Sequence, residues 1–204
     1  MKKKMIYVHG KNGNADESRH YDAFFPEYDV IGFDYKSETP WDAREEFCCF
    51  LASLKVEYGN VAVIANSIGA FFTMCAWGDK RMERAYFISP IVNMNRLIAD
   101  MMKWCGVSES ELRARRTIDT SFGETLSWEY LSWIRKNPIS WNTPTAILYG
   151  ADDKMQSLDT IRIFAEKIKA DVTVMENGEH WFHTEEQMAF LDRWIQKANL
   201  DKSL

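Results

Sequence analysis

The chain has 204 residues, a formal net charge of −5, and 46% hydrophobic against 27% charged residues. This length and composition are typical of one globular domain and unlike those of a disordered chain. The negative net charge disfavours a nucleic-acid partner, because phosphate backbones require a basic face. No run of about 18 apolar residues occurs, so we expect no membrane span. The basic residues 2–4 precede too short an apolar run for a signal peptide, and a cytoplasmic protein is expected.

The cysteines do not indicate a disulfide framework or a metal site. Their positions are Cys48, Cys49, Cys75 and Cys105. They are too few and too irregularly spaced for a disulfide scaffold, and they lack the paired spacing of a zinc site. We therefore expect a reducing compartment and no bound metal.

Short apolar segments alternate with longer segments of helical period along most of the chain. Strands are predicted over 5–9, 29–34, 61–65, 84–89, 145–149 and 171–175. Several are continuously apolar, as in Val61-Ala62-Val63-Ile64-Ala65, which is typical of parallel strands buried on both faces. Helices are predicted over 41–58, 68–77, 160–169 and 185–197. This alternation predicts an α/β fold with a mostly parallel central sheet flanked by helices.

The segment 90–144 interrupts this alternation, and no strand is predicted in it. Its first apolar residues follow a helical period and form one stripe of Met94, Leu97, Ile98, Met101, Met102 and Cys105, and a second apolar patch spans 126–134. The segment is longer than a connection between two strands of one sheet requires. We expect a single domain over 1–204 with a helical lid insertion at about 92–142, above the carboxyl edge of the sheet.

A serine lies where a predicted strand ends and a buried helix begins, in Ala65-Asn66-Ser67-Ile68-Gly69. A nucleophile elbow needs this position, with small residues two places before and after the serine. Ala65 stands where glycine is usual, which is a mild departure. Taken alone, this short pattern fits a structural serine better than a nucleophile, so the interpretation depends on its partners.

A serine hydroxyl is a weak nucleophile and needs a base, which an acid in turn holds in place. Both residue types follow later strands, in Tyr149-Gly150-Ala151-Asp152-Asp153 and in Gly178-Glu179-His180. Asp152 and Asp153 compete for the acid position. His180 and His183 could instead form a metal pair, but the carboxylate and histidine cluster of a catalytic metal site does not accompany them.

Hydrolysis of an acyl bond also needs backbone N–H groups that face the developing oxyanion. The N–H of Ile68, at the start of the helix after the serine, is one candidate. The loop His9-Gly10-Lys11-Asn12-Gly13 follows the first predicted strand, and its glycines allow a tight turn. We assign the second donor to the N–H of Lys11.

Together these motifs resemble the serine α/β-hydrolase superfamily in a small version. H-G-K-N-G, A-N-S-I-G, Y-G-A-D-D and G-E-H occur in the order of that family over nearly the whole chain. The resemblance implies Ser67 as nucleophile, His180 as base and the N–H groups of Lys11 and Ile68 as oxyanion hole. It also selects Asp153 as the acid, because the family usually places the acid three residues after the glycine. The chemistry that it implies requires no cofactor.

The resemblance implies hydrolysis of a carboxylic ester or thioester in a small-molecule acyl substrate. Asn66, Met101 and Met102 are candidates for lining the substrate pocket. Acyl transfer or amide cleavage by the same three residues is an alternative, and a non-catalytic binding protein of this fold is another. A serine at the elbow disfavours the dehalogenase and epoxide hydrolase reactions of this superfamily, which use a carboxylate nucleophile. The sequence indicates neither the acyl group nor the oligomeric state.

Overall fold

The computed structural model describes residues 2–200, so both ends of the domain expected over 1–204 lie outside the described residues. The chain divides into two compact units. The larger unit contains the chain through Val92 and from Ser140 onwards, and the smaller unit is Asn93–Ile139. Within residues 2–200, no helix has both the length and the apolar character needed to cross a membrane.

The secondary structure follows the predicted alternation. The strands are β1 (Lys3–Val8), β2 (Tyr28–Phe33), β3 (Val61–Asn66), β4 (Arg84–Ile88), β5 (Thr117–Asp119), β6 (Thr125–Ser127), β7 (Thr145–Gly150) and β8 (Asp171–Met175). The α-helices are α1 (Pro40–Ser53), α2 (Ser67–Trp77), α3 (Met94–Trp104), α4 (Glu109–Arg115), α5 (Trp128–Lys136), α6 (Leu158–Ile168) and α7 (Glu185–Leu200). Two 3-10 helices span Ala15–Phe24 and Tyr58–Asn60.

The larger unit is built on a six-stranded parallel sheet in the order β2-β1-β3-β4-β7-β8. β3 and β7 are buried along nearly their whole length, as their continuous apolar sequences predict. One sheet face packs against α7, and α2 contacts β1, β3 and β4. Eight of the eleven residues of α2 are buried, which explains why its sequence is apolar almost all round. The predicted parallel α/β architecture is confirmed.

The strand order determines where the carboxyl edge of the sheet has a crevice that can receive a ligand. From β1 the chain passes to β2 on one side and later returns to β3 on the other side of β1. The loops after β1 and β3 therefore leave the sheet in different directions and open a crevice at its carboxyl edge. The loops that follow β7 and β8 emerge from the same edge, because all six strands are parallel.

The smaller unit contains α3, α4, α5 and a short antiparallel hairpin of β5 and β6. The prediction of no strand between 90 and 144 is wrong at this hairpin. Each of its strands has three residues with a single buried position, Ile118 or Leu126, which is too short to show an alternating pattern. The guanidinium of Arg135 on α5 binds both carboxylate oxygens of Glu109 on α4, at 2.7 and 2.8 Å.

Two further elements differ from the sequence-based expectation. α1 begins at Pro40, directly after the N-cap Thr39. It ends at Ser53 and not at the predicted residue 58, because Lys55 adopts a left-handed backbone with φ of 51°. The 3-10 helix Ala15–Phe24 was not predicted. Its capping box, formed by Asn14 and Glu17, is visible in the sequence as a polar residue followed three places later by glutamate.

Candidate active site

Ser67 lies at the junction of β3 and α2 with a φ of 50°, in the left-handed region. This conformation costs a non-glycine residue on the order of 1–3 kcal/mol and persists only where neighbouring structure imposes it. The close packing of α2 against β1 provides that constraint. A Cβ added at Gly69 would lie 2.3 Å from the carbonyl oxygen of His9, so only glycine fits there. The buried Ala65 is small enough for the position two places before the serine.

Three side chains from separate segments of the chain form one series of hydrogen bonds. Ser67 Oγ lies 2.7 Å from His180 Nε2, and His180 Nδ1 lies 2.7 Å from Asp153 Oδ2. A carboxylate only accepts, so Nδ1 carries the proton and Nε2 accepts the hydrogen bond from the Ser67 hydroxyl. The three side chains thus have the arrangement that general-base activation of a serine requires.

Asp153 is held by its own loop as well as by His180. Its side chain is 1% exposed, and its Oδ1 accepts hydrogen bonds from the backbone N–H groups of Met155 at 2.7 Å and Gln156 at 3.4 Å. Each carboxylate oxygen therefore has a fixed partner. This arrangement leaves Oδ2 directed at the imidazole.

The loops that carry Asp153 and His180 cross at two glycines. A Cβ added at Gly150 would lie 2.4 Å from the carbonyl oxygen of Gly178. The backbone N–H of Asp152 donates to that same carbonyl at 2.8 Å, while the Asp152 side chain is exposed. The crossing brings Asp153, and not Asp152, to the imidazole.

The loop after β1 lies against the nucleophile elbow. A Cβ added at Gly10 would lie 3.3 Å from Ser67 Cβ, and a turn closes from the N–H of Gly13 to the carbonyl of Gly10 at 3.1 Å. Lys11 is in this turn and Ile68 is in the first turn of α2. The structure thus brings together the two segments to which the oxyanion N–H groups were assigned. The assignment of these two donors stays a prediction.

A polar network that the sequence analysis missed connects this loop with the elbow. The Tyr7 hydroxyl donates to Glu17 Oε2 at 2.5 Å and accepts from Asn66 Nδ2 at 2.7 Å. Glu17 Oε1 in turn accepts from the backbone N–H of Asn14 at 3.2 Å, at the end of the loop. Burial, followed by the nearby Tyr21 and the hydrogen bond to Glu17, raises the pKa of Tyr7, so its hydroxyl stays a donor.

This network also explains why the N-cap side chain of α2 makes no capping hydrogen bond. Asn66 is the N-cap residue, yet its side chain makes no capping hydrogen bond. Its amide group binds Tyr7 instead, and Ser67 is the first residue of α2, at the positive end of the helix dipole. The capping-box pattern at Asn14 and Glu17 is the sequence signal that could have indicated part of the network.

The residues predicted to line a pocket are divided between the two units. Asn66 adjoins Ser67, and its Oδ1 is buried without a hydrogen-bond partner among residues 2–200. Met101 is half-buried and Met102 buried on α3 of the smaller unit. Their role in a pocket stays a prediction. His183 binds the carbonyl of Trp181, and the described residues contain no cluster of three or more potential metal-binding side chains.

The sequence is similar to known proteins at the level of structure. No protein-family model and no curated protein matches it. Est1E from Butyrivibrio proteoclasticus is similar in structure, with a TM-score of 0.77, 16% identity, and coverage of 98% of this chain and 88% of Est1E. Alpha/beta hydrolase domain-containing protein 10 from mouse has a TM-score of 0.75 at 15% identity, with coverage of 98% and 91%.

A third solved structure is also similar in fold, with a lower TM-score. The Pyrococcus furiosus esterase Pf2001 has a TM-score of 0.59 at 18% identity, with coverage of 97% of this chain and 79% of the esterase. At such identities, the likeness establishes the fold alone. With the parallel sheet and the serine at the strand-to-helix junction, it shows that the chain has the α/β-hydrolase fold that its motifs resemble.

Proposed function

We propose that this chain is a serine hydrolase that cleaves a carboxylic ester or thioester through an acyl-enzyme. The observation that carries the proposal is the hydrogen-bonded chain from Ser67 through His180 to Asp153, with 2.7 Å at both contacts. A serine that serves only packing needs neither the left-handed backbone of Ser67 nor a buried acid behind its histidine. The names of structural neighbours, one of which is an esterase, support the same class of reaction.

In the first half-reaction, Ser67 Oγ attacks the acyl carbon while His180 Nε2 takes the hydroxyl proton. The carbonyl oxygen becomes negative, and the N–H groups of Ile68 and Lys11 bind it at the N-terminus of α2. The bond from the acyl carbon to the leaving oxygen or sulfur then breaks. His180 returns the proton to that leaving atom, which departs as an alcohol or thiol.

In the second half-reaction, water replaces the leaving group. His180 Nε2 takes a proton from the water as the water oxygen attacks the acyl carbon of the acyl-enzyme. The bond to Ser67 Oγ breaks, Ser67 recovers its proton from His180, and the carboxylic acid is released. Asp153 stays a carboxylate throughout and stabilises the imidazolium that forms twice.

Covalent labelling tests the proposal directly. A fluorophosphonate probe is expected to modify Ser67, because an activated hydroxyl attacks phosphorus as it attacks an acyl carbon. Peptide mass spectrometry identifies the modified residue. Ser67→Ala and His180→Ala are each expected to lower kcat for p-nitrophenyl acetate by about 10⁴ or more, and the double variant loses little further. His20→Gln, a histidine bound to Asp192 outside the site, is the matched control.

Two outcomes contradict the proposal. Folded protein that the probe does not label at Ser67 supports the non-catalytic binding alternative. The amidase alternative is supported if labelled protein cleaves anilides faster than esters or thioesters. The acyltransferase alternative is supported if labelled protein transfers its acyl group to an added amine or alcohol faster than to water. A panel of p-nitrophenyl esters, thioesters and anilides of graded acyl length, run with and without an added amine or alcohol, separates these cases.

A further inference from the structure

Trp181 directly follows His180 and is the most exposed aromatic side chain within residues 2–200, at 72%. An indole ring in water forgoes the large favourable burial that aromatic side chains obtain in a core or an interface. The next residue, Phe182, is buried in the core of the larger unit, so the loop itself is anchored. The exposure of Trp181 is therefore not a result of a loose loop.

The orientation of the Trp181 ring is held by a set of contacts. The ring stacks on His183, with 4.4 Å between centroids and 17° between planes. His183 Nδ1 donates to the Trp181 carbonyl at 2.8 Å, and the His183 backbone N–H donates to Oε1 of Gln187 at 3.1 Å. Gln187 is buried and also contacts Glu179 through Nε2 at 3.4 Å. One face of the Trp181 ring is thus covered by His183, and the other face is exposed to solvent.

The position along the chain indicates which part of a substrate would meet this ring. During acyl-enzyme formation His180 Nε2 must protonate the leaving atom, so the leaving group lies within hydrogen-bond reach of the imidazole. Consecutive Cα atoms are about 3.8 Å apart, which places the Trp181 backbone next to that end of the site. The acyl group, in contrast, is attached to Ser67.

The charges near Trp181 along the chain bear on the chemistry of the leaving group. Exposed carboxylates flank Trp181 along the chain, at Glu176, Glu179, Glu185 and Glu186. They disfavour an anionic group, whereas a neutral ring avoids this repulsion. A single aromatic side chain among carboxylates also lacks the continuous apolar patch of a protein-docking surface.

We propose that Trp181 is a specificity-determining residue that stacks with a neutral aromatic leaving group, so that the preferred substrates are esters of aryl-bearing alcohols. This inference rests on the proposed serine hydrolase function. Stacking of the leaving group on a ring that is already oriented avoids much of the entropy cost of ordering both partners. The preference therefore concerns the alcohol side of the ester and is independent of acyl length.

The test compares three acetates that share one acyl group: benzyl, cyclohexylmethyl and methyl acetate, with acetate release as the readout. Trp181→Ala is expected to lower the benzyl-to-methyl ratio of kcat/KM by about tenfold, the equivalent of about 1.4 kcal/mol. The cyclohexylmethyl-to-methyl ratio of kcat/KM is expected to fall less, because a saturated ring lacks the π face. Trp181→Phe keeps a stacking ring and is expected to retain most of the benzyl preference.

Tyr58→Ala is the matched control, since Tyr58 is an exposed aromatic residue of the same unit. It is expected to leave the ratio unchanged. Fluorophosphonate labelling of Ser67 in each variant shows that the site is intact. An unchanged benzyl-to-methyl ratio in a labelled Trp181→Ala variant overturns this inference and leaves the proposed function standing. Wild-type protein that is neither labelled nor active on any of the three acetates overturns both.

Discussion

Replacement of Asp153 by asparagine tests whether Asp153 fixes the tautomer of the His180 imidazole. Asparagine has nearly the same shape, but one oxygen becomes an NH₂ group that only donates. Two orientations of the amide are then available. The contacts of Asp153 in the structure determine which of them is favoured.

In the first orientation the amide oxygen keeps the Oδ1 position and continues to accept from the N–H of Met155. The NH₂ group then faces His180 Nδ1, which must lose its proton and accept. In the second orientation the NH₂ group faces the Met155 N–H, and two buried donors meet. An unsatisfied buried donor costs about 1–3 kcal/mol, so the first orientation is favoured.

In the favoured orientation, the His180 proton moves to Nε2, which then donates towards Ser67 and accepts no proton from it. The expected loss in kcat for Asp153→Asn is about 10⁴, which corresponds to about 5.4 kcal/mol of transition-state stabilisation. Initial rates with p-nitrophenyl acetate measure this loss, and the free energy of unfolding shows whether the variant is folded.

Asp152→Asn is the matched control because the Asp152 side chain is exposed. We expect it to stay within about tenfold of wild type, since its contribution to the loop comes from its backbone N–H. A folded Asp153→Asn variant with kcat within about tenfold of wild type would refute the tautomer argument. Inactivity of Asp152→Asn with an active Asp153→Asn would place the acid one residue earlier.

Three further predictions concern other parts of the chain. Tyr7→Phe leaves its two hydrogen-bond partners unsatisfied, so we expect about 1–3 kcal/mol lower unfolding free energy and a lower kcat at similar KM; an unchanged kcat would contradict a positioning role for this network. A lid role for the smaller unit predicts that Met101→Trp or Met102→Trp shifts preference towards shorter acyl groups by about fourfold per methylene lost, and an acyl-length profile that neither substitution changes would disprove that role. Burial raises the pKa of Tyr7, Tyr21 and Tyr35, while unfolded tyrosines lose their proton near pH 10. Above about pH 10 the unfolded state therefore binds fewer protons, and stability should fall; equal denaturant midpoints at pH 8 and pH 11 would contradict this.

The sequence by itself determined the elements whose signal is local. Continuous apolar segments predicted the six parallel strands because strands covered on both faces have no polar side to display. The apolar helix after Ser67 was predicted for the same reason. Small residues around Ser67 indicated the sharp turn, since that requirement acts over a few residues, and the later aspartate and histidine were indicated by the order of motifs in the family that the sequence resembles.

Only the tertiary structure decided which distant residues meet. Residue types alone left Asp152 and Asp153 open, and the crossing of loops at Gly150 and Gly178 directs Asp153 to His180. Tyr7 on β1 binds both Glu17 and Asn66. Asn66 is the last residue of β3, which pairs with β1 although more than fifty residues separate the two strands. The strand order and the three-residue strands of the hairpin were equally hidden. Such features depend on the direction of crossovers and on contacts between segments, and neither leaves a periodic pattern in the chain.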